Sequence, residues 1–324
     1  MLNPRLRNPR FIDCPRPALA PALEAAAGLA AQPARLPPKF FYDALGSRLF
    51  DAITELPEYY PTRTEAAIFA AHRGAITAAV RGAVGGAMTL VDLGAGSCCK
   101  AESLFDAFAP ARYVAVDISA AYLRDTLQRL QQRHPALDIV GVGLDFSSQL
   151  ALPTELLGAP ALLFYPGSSI GNFAPADALR LLCEARAAAC GGALLIGVDL
   201  VKPVETLQAA YDDALGVTAA FNLNLLLHLN RLLGADFDVH DWRHVAFFEP
   251  RASRIEMHLE ARRALAVRWP GGERRFAAGE RIHTEDSYKW RHGEFEALLR
   301  QAGFASVRTW RDDAGWFAVL LASG

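Results

Sequence analysis

The chain has 324 residues, 52% of them hydrophobic and 21% charged, with a formal net charge of −2. That length suits about two domains, the apolar share supports a packed core, and the scattered, nearly balanced charge excludes a protein built chiefly to bind nucleic acid. Five cysteines make no even disulfide framework and the opening MLNPRLRNPRF holds no apolar signal segment, so a soluble protein of a reducing, cytoplasmic compartment is expected.

Residues 1–38 are rich in Pro, Ala and Arg, with a helix expected around Leu19 to Ala31 and Pro37-Pro38 closing the segment. Gly46 is expected to mark a turn. The following FFYDALGSRLFDAITELPEYYPTRTEAAIFAAH reads as two helices, because Pro57 and Pro61 forbid a continuous one. From Met88 the pattern changes to short apolar runs, MTLVDL, RYVAVD, DIVGV, ALLFY and ALLIGV. Helix-like AAYLRDTLQRLQQRH and DALRLLCEARAAACGG lie between them, and this alternation predicts a doubly wound parallel sheet. After Asp199 a helical AAFNLNLLLHLNRLLGA precedes four period-2 segments, RHVAFFEP, RIEMHLEAR, ALAVRW and ERIHTEDS. These read as one antiparallel meander with Gly271-Gly272 as a turn. A helix in GEFEALLRQAGF and strands in SVRTW and WFAVLLA follow. An α/β domain is thus interrupted by an α+β insertion and resumed at the C-terminus. No apolar run is long enough to cross a bilayer.

The first strand breaks into Gly-Ala-Gly-Ser-Cys-Cys-Lys, a ligand-binding turn at the carboxyl end of a sheet. Dinucleotide binders prefer G-x-G-x-x-G, but here Cys99 stands where the third glycine would be. Asp92 ahead of the turn would repel a phosphate and accept from an ammonium. Asp117 ends the next strand, where a carboxylate can bind both ribose hydroxyls, and Asp145 in GLDF is placed to accept from an adenine amino group. Three acids at three strand ends, with Gly94 and Gly96 in the turn, are the pattern expected for S-adenosylmethionine. Gly167 and Gly171 in YPGSSIGN sit beyond the fourth strand, where backbone would approach a ligand.

Other clusters carry less. His240 and His244 have metal-like spacing but lack a third ligand, so no metal is expected. Cys98-Cys99 reads as a pair of small packing residues, Asp312-Asp313 as a solvent-facing turn, and GERRF as a hairpin surface.

Four stretches in order, KFFYDALGSRLFDAITELPEYYPTRTE, YPGSSIGNF, YDDALGVTAAFNLNLLLHLNRLLGADFD and IHTEDSYKW, resemble the histidine-specific methyltransferase family. Its best-known members are the L-histidine Nα-methyltransferases of ergothioneine biosynthesis, and the resemblance runs from about Pro37 to the end. It implies a Rossmann-like class I methyltransferase sheet, assigned to residues 64–200 and 291–324, with an inserted α+β substrate-binding lid formed by 1–63 and 201–290. It implies three methyl transfers from S-adenosylmethionine to the α-amino group of histidine, giving hercynine, without a metal and in a monomer. By the same resemblance Tyr59, Asn172 and Tyr211 hold the amino and carboxylate groups, with Tyr42 nearby; Tyr42 and Tyr59 are the catalytic candidates. Glu285 accepts from one imidazole N–H and Ser287 engages the other nitrogen; on a strand these two share a face. Gly167 joins the substrate set, and Lys100 and Phe146 the cofactor set. The sequence departs from the family at Cys98 and Cys99, where Thr or Ser and a polar or acidic residue are commoner. A same-fold enzyme for another amine, a non-catalytic S-adenosylmethionine binder and an NAD oxidoreductase are the competing readings.

Overall fold

A computed structural model describes residues 8–14, 20–157 and 160–324. The chain divides into two compact units, of which the first contains residues 8–14, Pro61–Val201 and Lys289–Gly324. Its core is an eight-stranded sheet in the order Arg10–Asp13, Asp138–Gly143, Arg112–Asp117, Thr89–Leu93, Ala161–Tyr165, Ala193–Asp199, Phe317–Ser323, Ser306–Arg311. The first six run parallel, and Phe317–Ser323 runs antiparallel to both of its neighbours. Thr89–Leu93, Ala161–Tyr165 and Ala193–Asp199 are buried at every residue, which is why they read as continuous apolar runs without alternation. Helices Ala120–Arg133 and Pro175–Ala188 occupy the expected connections. Chain order reverses at Thr89–Leu93, and the crevice expected of such sheets lies beyond its carboxyl end, next to that of Ala161–Tyr165.

The second unit contains residues 20–60 and Lys202–Tyr288. It holds a four-stranded sheet in the order Ala34–Arg35, Arg281–Tyr288, Arg254–Ala261, Trp242–Glu249, with helices Ala20–Ala30, Ala44–Thr54 and Val217–Leu233. Leu225, Leu226 and Leu229 of the last helix are fully buried, as are Ile255 and Leu259 of the sheet.

Three expectations need correction, and two hold with adjusted bounds. The expected single meander is split, since among the described residues Leu265–Trp269 pairs only with Gly272–Phe276, as a separate hairpin. Arg10–Asp13 is an edge strand on Asp138–Gly143, so residues 8–14 belong to the sheet unit and not to the inserted one. The helix expected around Leu19 to Ala31 is present as Ala20–Ala30; Leu19 itself lies outside the described residues. Gly46 is no turn but lies in the first turn of helix Ala44–Thr54, where its N–H donates to Asp43 (2.7 Å) and a Cβ would stand 1.7 Å from the Phe41 carbonyl oxygen. Pro61 opens the Tyr60–Val84 helix, whose first N–H groups need no intrahelical acceptor. Among the described residues no helix is long and apolar enough to cross a membrane.

Candidate active site

In the first unit the Thr89–Leu93 strand ends in a turn where Gly94 (φ 69°), Gly96 (φ 50°) and Cys98 (φ 61°) adopt left-handed backbone. At Gly94 the requirement is conformational, since a Cβ there would meet nothing within 4 Å. The Gly94 and Ala95 amides donate to the Val116 carbonyl at 2.9 and 3.1 Å, tying the turn to the neighbouring strand. Asp117 completes the tie: Oδ2 accepts from Gly96 N (2.9 Å) and Oδ1 from Ser119 N (2.8 Å). Burial raises the Asp117 pKa against the lowering effect of those N–H groups. Each oxygen retains a second lone pair for a ligand hydroxyl. Asp145 Oδ1 accepts from Ser147 N at 2.8 Å, and the Phe146 ring packs edge-on against Tyr165 with centroids 5.8 Å apart.

Asp92 is 2% exposed. Tyr113 donates its hydroxyl to Oδ2 at 2.7 Å, while Oδ1 has no hydrogen-bond partner among the described residues. Burial pushes its pKa up to about 7, with the Tyr113 bond opposing and Asp117 adding to the rise. A ligand cation at Oδ1 would restore the charged form. The adjacent cysteines differ: Cys98 is buried, with its thiol pushed up by burial and by Asp92, whereas Cys99 is exposed and so is not the packing residue expected. Lys100 points to Glu65, a residue the sequence reading gave no role. Gly167, also left-handed (φ 77°), donates its N–H to the same Glu65, and Asn172 closes the short Ser169–Asn172 helical turn that follows.

In the second unit Tyr42, Phe50, Tyr59, Tyr211 and Phe221 form a continuous aromatic cluster. Tyr42 meets Phe50 at 5.9 Å and Phe221 at 5.8 Å, Phe50 meets Tyr59 at 6.1 Å, and Tyr59 meets Tyr211 at 6.4 Å between centroids. Phe50 and Phe221 escaped the sequence reading because each sits on a helix whose apolar face needs no ligand to explain it. The Tyr211 hydroxyl and Ser287 Oγ are 2.7 Å apart, so the expected substrate residues of two motifs meet here. Glu285 and Ser287 face the same side of their strand, opposite Met257 and Ile255 in register; a bulge between His283 and Glu285 sets that alternation. Both ring nitrogens of His244 are engaged in hydrogen bonds. Its Nδ1 faces the Asn222 amide nitrogen and its Nε2 the Tyr211 carbonyl, both at 2.8 Å. An amide N–H must donate to Nδ1, so Nε2 carries the proton, and burial lowers the ring's pKa to keep it neutral.

The opposite face of the sheet holds Glu256, His258 and His283, whose ligand atoms lie within 4.8 Å of one another. Arg254 Nε lies 2.9 Å from Glu256 and 3.0 Å from Asp286, and the His258 and His283 rings each meet a carboxylate of this network at 2.9 Å.

This strand order, with an antiparallel next-to-last strand and carboxylates at three neighbouring strand ends, is the arrangement expected of a class I S-adenosylmethionine-dependent methyltransferase. Residues 22–324 match the family described as histidine-specific, S-adenosylmethionine-dependent methyltransferases, and the chain belongs to that family. The histidine N-alpha-methyltransferase of Mycolicibacterium smegmatis is 44% identical over 303 residues, 91% of this chain and 92% of that one. That of Mycobacterium tuberculosis is 42% identical over 304 residues, with the same coverage of 91% and 92%. Ergothioneine biosynthesis protein 1 of Schizosaccharomyces pombe is 28% identical over 284 residues, 84% of this chain and 37% of that protein.

Proposed function

We propose that this enzyme transfers methyl groups from S-adenosylmethionine to the α-amino nitrogen of L-histidine, three times, giving hercynine for ergothioneine biosynthesis. Family membership over nearly the whole chain, with histidine N-alpha-methyltransferases at 42–44% identity, carries the reading. Bound S-adenosylmethionine would supply a methyl carbon on a sulfonium, open to in-line attack by an amine lone pair. Asp92 Oδ1, buried and without a partner, supports the fit, because it would accept from the cofactor's ammonium. Asp117 would hold the ribose hydroxyls, Asp145 and Phe146 the adenine, and Lys100 the carboxylate end. Gly94 and Gly96 let the backbone approach.

Tyr59, Asn172 and Tyr211 are the residues we assign to the amino acid's charged end, and Gly167 joins the same set. Tyr42 and Tyr59 present ring faces that tolerate an ammonium gaining methyl groups. Glu285 would accept from one imidazole N–H, and Ser287, already turned toward Tyr211, would engage the other nitrogen. The lining is therefore polar where histidine is polar, and a competitor lacking those groups leaves buried partners unmet. No metal enters this chemistry. All five cysteines are free, which supports a reducing cytoplasmic setting, and we read the enzyme as a monomer without nucleic-acid or membrane partners.

The test is incubation with S-adenosylmethionine and a panel of free amino acids, followed by mass spectrometry. Histidine should gain three methyl groups on its α-nitrogen. Glu285→Ala and Ser287→Ala should each raise the KM for histidine by roughly tenfold or more, while cofactor affinity holds. Equal loss of both affinities would remove the imidazole assignment.

A further inference from the structure

We propose that Glu65 is a positioning residue: a single buried carboxylate that fixes the cofactor-turn lysine and the loop after Ala161–Tyr165 in one arrangement. Glu65 lies in the second turn of the Tyr60–Val84 helix and is 1% exposed. Its Oε2 accepts from Lys100 Nζ at 2.6 Å and its Oε1 from Gly167 N at 2.8 Å. Lys100 follows the turn beyond Thr89–Leu93, and Gly167 follows Ala161–Tyr165. These strands are neighbours on either side of the point where chain order reverses, so Glu65 ties together the two loops that border the crevice.

The sheet makes room for this carboxylate. A Cβ at Gly197, in the middle of the buried Ala193–Asp199 strand, would lie 2.0 Å from Glu65 Oε1. Any larger residue at 197 would expel the acid. A carboxylate buried against a sheet is costly unless charged and neutral donors satisfy it, and here one ammonium and one amide do so. Lys100 is the outer member of the pair, with 37% of its side chain exposed, and it reaches inward. Its Nζ comes so close to the loop that a Cβ on Gly167 would stand 2.9 Å from it. With φ 77° at Gly167, both conformation and space reserve that position for glycine. Glu65 thus holds the ammonium over the loop and the loop amide beneath it.

The inference rests on the cofactor reading of the 94–100 turn, and the test separates the two. Binding of S-adenosylhomocysteine, which cannot react, is measured by calorimetry for the wild type, Glu65→Gln, Lys100→Met and the double variant. Glutamine keeps an acceptor for Gly167 N but gives Lys100 no charged partner. Glu65→Gln should weaken binding by about tenfold, and the double variant should bind no more weakly than Lys100→Met alone. Additive losses, or an unchanged affinity in Glu65→Gln, would overturn the positioning role. Failure of the wild type to bind would remove the cofactor reading instead. Should Glu65→Gln not fold by circular dichroism, Glu65→Asp, one methylene shorter with its charge kept, enters the same cycle with the same criteria. Histidine affinity of the S-adenosylhomocysteine complex gives a second readout. It should drop further in Glu65→Ala, which also frees the Gly167 amide, than in Glu65→Gln; equal values would show that the loop does not depend on Glu65.

Discussion

Asp92 in the sheet unit and Asp286 in the inserted unit are both deeply buried, at 2% and 3% exposure, yet their electrostatic states are opposite. Around Asp92, burial dominates and the nearest donor is a neutral phenol, so the carboxyl is pushed up to about 7. Burial works in the same direction on Asp286, but His283, Arg35 and Arg254 outweigh it and hold the carboxyl below its ordinary value. Desolvation alone therefore does not distinguish a ligand site from a structural one. The supply of compensating charge does: Asp286 belongs to a completed ion-pair network, whereas Asp92 is short of one positive charge.

The largest expected effect breaks the comparison outright. Asp92→Asn should weaken S-adenosylmethionine binding by roughly 10- to 100-fold, the worth of a charge-assisted hydrogen bond, without lowering the melting temperature at pH 8. Asp286→Asn should do the reverse. It should destabilise the protein by about 2 kcal/mol, discounted for the exposure of Arg35, while cofactor affinity stays unchanged. Calorimetric titration and thermal denaturation of both variants check the pair, and a loss of cofactor affinity in Asp286→Asn would erase the distinction.

The next effect sharpens it through pH. Burial pushes the Asp92 carboxyl up to about 7; if the proposed ammonium binds there it favours the ionised form, and binding then releases a proton below that pH. Affinity for S-adenosylmethionine should rise with pH toward about 7 and then level, and the rise should vanish in Asp92→Asn. Stability has the opposite sign for this group. Its folded pKa is raised, so its contribution is fully present below the ordinary value of 3.8 and lost as pH climbs through about 7. For Asp286, with a lowered folded pKa, the contribution is present above 3.8 and lost as pH falls through the folded value.

The smallest expected effect concerns a neutral group. His244→Phe removes the donor to the Tyr211 carbonyl and leaves Asn222 without that acceptor. A several-fold higher KM for histidine at unchanged cofactor affinity is expected, since one hydrogen bond is worth about 1 kcal/mol. Steady-state kinetics at varied histidine check it, and a change confined to S-adenosylmethionine would count against any role through Tyr211.

Much of this was legible in the residues. Buried strands such as LLFY and LLIGV announce themselves because both faces are covered, and the acids Asp92, Asp117 and Asp145 stand out because each ends such a run. The Glu285/Ser287 pairing follows from strand periodicity. Glu65 was in plain view, closing the YPTRTE motif, but its partners lie 35 and 102 residues away. Gly46 misled for a related reason: the carbonyl that excludes a side chain there belongs to Phe41, and proximity in space decides it.

The sequence by itself determined the kind of sheet, the insertion within it and the acids that stand at the strand ends, because periodicity and turn chemistry are local and survive in a linear string. Only the tertiary structure decided which acids are satisfied: Asp286 by guanidiniums, Glu65 by a lysine and an amide, and Asp92 by no cation among the described residues. Charge compensation is a matter of distances of about 3 Å between atoms far apart in the chain, and the same carboxylate can be structural or ligand-seeking according to what the fold brings beside it.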